Sequence, residues 1–338
     1  MAELVPVVDL GASDAAEQVD AACREVGFLS VVGHGVPPAV VDRMLQATAA
    51  FFALPLADKL TWQSPKPEIN RGYAAKGTEG LIYSLGREGT PPDLFEAFNI
   101  GPDSWPEGDA VYEAERHRLF APNIWPDGGR AADLRPALVA YFEEVRALAH
   151  RLTTLFARAL GLDAEFFADK TDHSTDTIRV NNYERAAGEP DPVAGQQRMG
   201  AHTDYGIVTV LYADRVPGLQ IVGPDGAWHD VMPAEDALLV NLGDLLAQWT
   251  NDRWRSTLHR VVPPPRNAEG RSLRRSVAFF HDGNYDALIE CLPTCRDEGH
   301  PPKYPAVRAG EHLLAKLLGP RTLTASDAVS TAGDRLSS

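Results

Sequence analysis

The segment Gly-Ala-His-Thr-Asp-Tyr-Gly occupies residues 200–206 and leads into the apolar run from Ile207 to Tyr212. This run is rich in β-branched residues and predicts a β-strand, so we expect the chain just ahead of it to be extended. In an extended chain, His202 and Asp204 lie two residues apart and point to the same face. They are two candidate metal ligands on one face, and a third ligand would have to come from another strand.

A candidate third ligand is His259, which lies in the alternating segment from Ser256 to Val262. Two imidazoles and one carboxylate occupy one face of an octahedral ion and leave three positions open, the arrangement that non-haem iron(II) oxygenases need. The set therefore predicts a catalytic metal site, because a structural site would be closed by a fourth protein ligand. A His-x-Asp pair alone also occurs by chance, so further residues are needed to support the metal site.

Arg274-Arg275-Ser276 opens another predicted strand, which continues through the apolar run from Val277 to Phe280. Arg274 and Ser276 alternate along this strand and share one face, where a guanidinium and a hydroxyl together can bind a carboxylate. Arg275 is explained as a solvated basic residue. The pattern predicts a carboxylate-binding wall inside a barrel or sandwich of short antiparallel strands.

Taken together, these stretches resemble the 2-oxoglutarate/Fe(II)-dependent dioxygenases of the isopenicillin N synthase type. The resemblance covers roughly residues 4–290, and the matching stretches follow one another in the family's order. In the C-terminal half they are Gly200 to Gly206, Val216 to Gln220, Val240 to Asp244, Arg255 to Val261 and Arg274 to Ser276. Near the N-terminus they are Val5 to Leu10, Gly27-Phe28 and Gly33 to Val36. It implies a mixed α+β fold with a distorted double-stranded β-helix (jelly roll) core, flanking helices and an α/β N-terminal region.

The resemblance also implies the residues of the site. Its implied catalytic residues and Fe(II) ligands are His202, Asp204 and His259. The implied 2-oxoglutarate-binding residues are Arg274, Ser276, Asn181 and Tyr183, the last two forming the family's Asn-x-Tyr element. Arg274 follows His259 at a longer distance than is usual in the family, which we interpret as a longer hairpin loop between neighbouring strands.

The implied activity is the oxidation of a small organic molecule, most often its hydroxylation, with 2-oxoglutarate and O2 as co-substrates and succinate and CO2 as products. One alternative is an isopenicillin N synthase-like oxidase, cyclase or desaturase that does not use 2-oxoglutarate, in which the Arg-x-Ser pair holds a substrate carboxylate. A second alternative is a non-catalytic jelly-roll binding protein.

The chain is predicted to have three parts. Residues 1–130 form an N-terminal α/β region whose loop-rich segment covers the site, residues 131–320 form a helix and the catalytic core, and residues 321–338 form a flexible tail. Because loops vary without disturbing a scaffold, the predicted substrate contacts lie in the loop-rich segment and at a strand end. These predicted contacts are Arg71, Tyr73 and Phe280. Structural roles in turns are assigned to Asn241, Asp244 and the pair His281-Asp282.

Composition limits the partners. A net charge of −15 over 338 residues disfavours nucleic acid and anionic lipid, which leaves small molecules. The three cysteines, Cys23, Cys291 and Cys295, lack the paired spacing of a disulfide framework or a zinc ribbon, which favours a reducing cytoplasm. No signal peptide or membrane-spanning segment is predicted, and a monomer is expected for this family type.

Overall fold

The computed structural model describes residues 4–87, 90–185, 189, 191–263 and 273–326. The helices of this part of the chain are α1 (Ala15–Glu25), α2 (Pro38–Phe52), α3 (Leu56–Leu60), α4 (Ala110–Glu115), α5 (Leu134–Ala159), α6 (Asp244–Trp249) and α7 (Ala309–Thr322). Its strands are β1 (Val7–Asp9), β2 (Phe28–Val32), β3 (Gly72–Ala74), β4 (Glu96–Ile100), β5 (Thr177–Asn182), β6 (Met199–His202), β7 (Val208–Ala213), β8 (Leu219–Val222), β9 (Trp228–Asp230), β10 (Leu238–Leu242), β11 (His259–Val261), β12 (Arg275–His281), β13 (Leu288–Ile289) and β14 (Val307–Arg308).

Two sheets form the core. The larger sheet has the strand order β1-β2-β10-β7-β12-β5-β4-β3, and the smaller one has the order β6-β11-β8-β9. All neighbours are antiparallel except β1 and β2, which run parallel and are joined by α1 as a crossover. The predicted mixed α+β fold with a double-stranded β-helix core is confirmed.

Strand β12 shows how the sequence builds this core. Its apolar residues alternate between two environments, as expected for a strand that is buried on both faces. Val277 and Phe279 belong to the main hydrophobic core, where the ring of Phe279 meets that of Phe142 on α5 at 5.2 Å. Ala278 and Phe280 face the opposite way and line the space between the two sheets. The helices therefore cover the outside of the larger sheet, and its inside is left for a cavity.

The N-terminal region is continuous with the core. β1 and β2 lie at one end of the larger sheet, and β3 and β4 lie at the other, although all four strands precede residue 130. The loop-rich segment predicted to cover the site therefore contributes sheet strands as well as loops. Its β4 pairs with β5 in a register that places Ala97 opposite Asn181.

The predicted hairpin between His259 and Arg274 is wrong. β11 pairs with β6 and β8 in the smaller sheet, whereas β12 pairs with β5 and β7 in the larger one. The connection therefore crosses from one sheet to the other and does not join neighbouring strands. Its residues 264–272 lie outside the described part of the chain.

Helix α7 and the residues after it close one end of the cavity. The helix packs on the 3₁₀ turn Leu81–Leu85, and the backbone N–H of Ser326 donates to the carbonyl oxygen of Tyr83 at 2.9 Å. The predicted tail, residues 321–338, thus begins with packed residues, while residues 327–338 lie outside the described part. Among the described residues, no helix is long and apolar enough to cross a membrane.

Candidate active site

A cavity of about 1000 Å³ lies between the two sheets. β5, β7, β10 and β12 supply one wall from the larger sheet, and β6, β8 and β11 supply the other from the smaller sheet. Helix α7 and the segment around Leu81 close its outer end. All three predicted metal ligands line this cavity, as do all four predicted co-substrate residues.

The side chains of His202, Asp204 and His259 converge at the middle of the cavity. Asp204 Oδ1 lies 3.9 Å from His202 Nε2 and 3.7 Å from His259 Nε2, and one ligand atom from each side chain lies within 4.8 Å of the others. β6 and β11 are paired with His259 opposite His202, so the two imidazoles come from neighbouring strands of the smaller sheet. Within the described chain this is the only such group of three or more potential ligands.

Each imidazole is oriented by its second ring nitrogen. His202 Nδ1 lies 2.8 Å from the carbonyl oxygen of Gly200, and His259 Nδ1 lies 3.1 Å from that of Thr257. A carbonyl oxygen accepts only, so Nδ1 carries the proton and Nε2 keeps its lone pair for a metal. Burial, and then the neighbouring His259, lowers the pKa of His202 to about 3, which also favours the neutral ligand.

The carboxylate of Asp204 is oriented through its other oxygen. Oδ2 accepts hydrogen bonds from the Thr209 hydroxyl and, at 2.6 Å, from the Asn241 amide. Oδ1 is thereby left to face the two histidine nitrogens. Sequence reasoning assigned Asn241 to a turn and did not identify Thr209, so both positioning residues were missed.

Replacing Thr209 by valine removes one of the two hydrogen bonds to Asp204 Oδ2 with little change in shape. We expect the affinity for iron(II) to fall by about 10-fold or more, because partners that orient metal ligands contribute this much. Anaerobic titration against a competing chelator measures the affinity. Thr209→Ser keeps the hydroxyl and is the matched control; equal affinities in the two variants would show that the hydroxyl does not orient the carboxylate.

The cavity also contains a buried arginine, Arg274, whose Nε lies 4.0 Å from Asp214 Oδ1, beyond hydrogen-bonding distance. Arg274 is 1% exposed, and neither Nε nor Nη1 has a hydrogen-bond partner in the described part of the chain. Its guanidinium lies 5.1 Å from the centre of the Tyr183 ring, and Ser276 and Asn181 line the cavity with it. Arg275 instead donates to Asn182 Oδ1 at 3.0 Å, away from the cavity lining. A buried guanidinium with two free donors fits an anionic group such as a carboxylate.

Of the predicted substrate residues, Phe280 lines the cavity and the other two do not. The Arg71 guanidinium donates to the backbone carbonyls of Asn70, Leu119 and Ala121, so it holds loops together. Arg71 borders only a smaller adjoining cavity of about 280 Å³.

Tyr73 is likewise turned away from the large cavity. Its hydroxyl donates to Glu96 at 2.5 Å, and Lys59 pairs with the same carboxylate oxygen at 2.6 Å. This buried contact ties β3 and β4 to helix α3. The prediction of substrate contacts at Arg71 and Tyr73 is therefore corrected, because both side chains use their polar groups within the loop-rich segment.

The outer wall comes partly from helix α7, which sequence reasoning did not identify. Its cavity-lining residues are Leu313, Leu317, Pro320 and Arg321. Arg321 donates to Asn70 Oδ1 and lies 3.9 Å from Glu79, which pairs with Arg179 at 2.7 Å. The charged groups of this part of the wall thus satisfy one another.

A second polar contact fastens α7 to the metal-ligand segment. Lys316 Nζ lies 3.0 Å from Asp244 Oδ2, and both side chains are fully buried. The same Asp244 oxygen accepts from Thr203, and the Asp244 backbone N–H donates to the Asp204 carbonyl at 2.8 Å. Asp244 therefore links helix α7 to Thr203 and Asp204, a larger role than the turn position suggested.

Asp282 is the remaining acidic group of the outer wall. It is 6% exposed and lines both the large cavity and the adjoining smaller one. Burial, and then the nearby carboxylates of Asp176 and Asp204, raises the pKa of Asp282 well above its ordinary value. Its placement on the cavity wall differs from the turn role assigned to it from the sequence.

Two family models match the chain. The first, described as "non-haem dioxygenase in morphine synthesis N-terminal", matches residues 5–128. The second, described as "2OG-Fe(II) oxygenase superfamily", matches residues 175–283. The second match contains the three converging ligands and Arg274.

Individual relatives match most of the chain. A 2-oxoglutarate-Fe(II) type oxidoreductase of Emericella nidulans is 35% identical over 293 residues, covering 86% of this chain and 80% of the relative. Validamycin A dioxygenase of Streptomyces hygroscopicus subsp. limoneus is 34% identical over 327 residues, covering 92% of this chain and 85% of the relative. A full-length Neurospora crassa protein, solved in complex with alpha-KG and thymine, has a TM-score of 0.79 at 30% identity, covering 93% of this chain and 96% of that one.

Proposed function

The chain belongs to the 2OG-Fe(II) oxygenase superfamily and is an Fe(II)/2-oxoglutarate-dependent dioxygenase, and we propose that it hydroxylates a small organic molecule in the outer half of its cavity. The observation that carries this proposal is the position of Arg274. Its buried guanidinium, with Nε and Nη1 free of hydrogen bonds in the described chain, shares one cavity with the iron ligands His202, Asp204 and His259. The cavity thus offers a metal site and an anion site side by side.

We assign the inner half of the cavity to 2-oxoglutarate. Arg274 and Ser276 would bind its far carboxylate, since a guanidinium and a hydroxyl from alternate positions of β12 face the cavity together. Tyr183 is buried beneath the guanidinium and would fix its orientation through the ring face. Asn181, whose Oδ1 accepts from Arg179 at 3.1 Å, completes the co-substrate wall.

Iron(II), when bound, supplies the activation of O2 and 2-oxoglutarate that the oxidation needs. The protein contributes position and exclusion of water. The Thr209 and Asn241 hydrogen bonds hold Asp204 with one oxygen towards the histidines. Apolar side chains of Leu211, Leu219 and other lining residues keep the remaining surface dry, which protects the site from side reactions.

The outer half is the proposed place of the prime substrate. Phe280 and the α7 residues Leu313 and Leu317 give it apolar walls, while Glu79, Arg179 and Arg321 give it a polar rim. Two relatives support a small organic substrate, because one is named for validamycin A and the other was solved with thymine.

We further propose that the enzyme acts as a monomer in the cytoplasm and does not bind nucleic acid. The net charge of −15 supports the last point, because a phosphate backbone would be repelled. The cysteines Cys23, Cys291 and Cys295 are all unpaired in the structure, which agrees with a reducing compartment.

Release of CO2 from 2-oxoglutarate labelled at C1 tests the proposed reaction. We expect iron-dependent and O2-dependent release, in step with succinate, that increases when a compound in a metabolite screen is a substrate. Mass spectrometry of the same mixtures should show the gain of one oxygen in that compound. A product that forms without succinate would instead support the oxidase alternative, in which Arg274 holds the substrate.

A further inference from the structure

We propose that Asp282 is a specificity-determining residue that binds a basic nitrogen of the prime substrate, so that the enzyme acts on amine-bearing small molecules. This inference rests on the proposed function and names the substrate class of the same cavity. No role in the hydroxylation chemistry itself is assigned to the residue.

The geometry places Asp282 where a substrate group can reach it. Its side chain lines the large cavity and also the adjoining one, so it lies at the junction of the two. Asn70, Thr177, Leu313 and Leu317 line both cavities with it. Leu313 and Leu317 thus give the hydrocarbon part of a substrate an apolar surface beside the carboxyl group.

The carboxyl group lacks a partner of its own. Across the described ranges, the Asp282 side chain makes no hydrogen bond or ion pair, although the residue is only 6% exposed. Buried carboxyl groups are nearly always hydrogen-bonded or paired, because an unpaired one costs free energy. The other charged groups of the outer wall, Glu79, Arg179 and Arg321, already satisfy one another.

The backbone of Gly206 lies next to the carboxyl group. A β-carbon at Gly206 would lie only 2.0 Å from Asp282 Oδ1, so the absence of a side chain there leaves room for this oxygen. Asp282 thus packs against the turn that follows the metal-ligand segment. A fixed, unpaired acceptor is better suited to select a ligand than a mobile surface carboxylate.

The surrounding charges favour a cation over a neutral group. The ionised side chains that act most on Asp282 are the carboxylates of Asp176 and Asp204. A substrate ammonium would offset their repulsion and form a charge-assisted hydrogen bond with Asp282. An overall charge of −15 also draws cations towards the protein.

Calorimetric titration with matched probes tests the inference. The enzyme loaded with Fe(II) and 2-oxoglutarate is kept anaerobic and titrated with benzylamine, benzyl alcohol and benzoate, and with the corresponding cyclohexylmethyl compounds. We expect at least one amine to bind about 10-fold or more tightly than its alcohol, and the carboxylates to bind most weakly. This comparison uses the unaltered enzyme and so does not depend on the folding of a variant.

Asp282→Asn keeps the shape of the side chain and removes its charge. The amine preference should disappear in this variant, while the affinity for 2-oxoglutarate and the melting temperature stay close to those of the unaltered enzyme. Glu290→Gln, at an exposed position close in sequence, is the matched control and should keep the preference.

Two results would overturn the assignment of Asp282: no amine preference in the unaltered enzyme, or a preference that persists in Asp282→Asn. If CO2 is released from labelled 2-oxoglutarate but no amine preference is found, only this inference fails. If no compound supports that release, the proposed function itself fails.

Discussion

Replacing His202, Asp204 or His259 by alanine is expected to abolish iron-dependent turnover and leave the fold intact. Each change removes one of three protein ligands, and the imidazole or carboxylate lost cannot be replaced by water with the same geometry and charge. We expect the rate of 2-oxoglutarate decarboxylation to fall at least about 100-fold, or roughly 3 kcal/mol in activation free energy. The fold should persist because the main core lies on the other face of the larger sheet, around Phe142 and Phe279.

The measurement is CO2 release together with thermal unfolding in the absence of metal. His300→Ala, which removes an exposed histidine, is the control for the two histidine variants. Full activity in any of the three variants would show that these residues are not the iron ligands. A large drop in melting temperature without metal would show instead that the side chain supports the fold.

The ligands could be predicted from sequence because their signals are local. His202 and Asp204 lie two residues apart next to a recognisable strand, and Arg274 and Ser276 alternate at the start of another. Such spacings specify a shared face wherever the strand lies in the sheet. The strands β7 and β12 were predicted to within one residue at either end, because apolar runs mark them directly.

The residues that hold Asp204 could not be predicted, because their role depends on strand pairing. β10 pairs with β7 so that Asn241 lies opposite Thr209, and this register brings both side chains to the same carboxylate oxygen. Asn241 and Thr209 are distant in sequence, and no local spacing connects them. The same reason explains the error about the connection from β11 to β12, since periodicity does not say which sheet a strand joins.

Helix α7 was missed for a different reason. Its buried face includes His312 and Lys316, so the apolar stripe that marks an amphipathic helix is interrupted. The buried lysine pairs with Asp244 at 3.0 Å and donates to the Ser84 carbonyl at 3.1 Å, and both partners lie far away in the sequence. For Arg71, by contrast, the sequence predicted a substrate contact that the structure does not show. An arginine in a long loop favours a ligand contact, but here the partners of its guanidinium are backbone carbonyls such as that of Leu119.

Replacing Arg274 by leucine is expected to weaken 2-oxoglutarate binding by tens-fold or more. The change deletes a charge-assisted contact to a carboxylate inside a buried pocket, for which about 2–5 kcal/mol is a reasonable magnitude. Anaerobic titration of the Fe(II) enzyme with 2-oxoglutarate, followed by its metal-to-ligand charge-transfer band, measures the affinity. Arg274→Lys should recover little of it, because an ammonium cannot reproduce the planar, two-pronged donor geometry of a guanidinium.

Arg275→Leu is the matched control, since it removes the neighbouring guanidinium from the other face of the strand. That side chain bonds Asn182 and does not line the cavity, so 2-oxoglutarate affinity should change little. The fold offers an independent check on Arg274→Leu. Arg274 Nε and Nη1 have no hydrogen-bond partner in the described chain, and the ion pair with Asp214 is long, 4.0 Å from Nε to Oδ1. Leucine leaves Asp214 without this pair, but the Asp214 side chain is 27% exposed and can be hydrated. The melting temperature without ligand should therefore change little while 2-oxoglutarate affinity falls; a large loss of both would mean that Arg274 supports the barrel and that the co-substrate carboxylate is bound elsewhere.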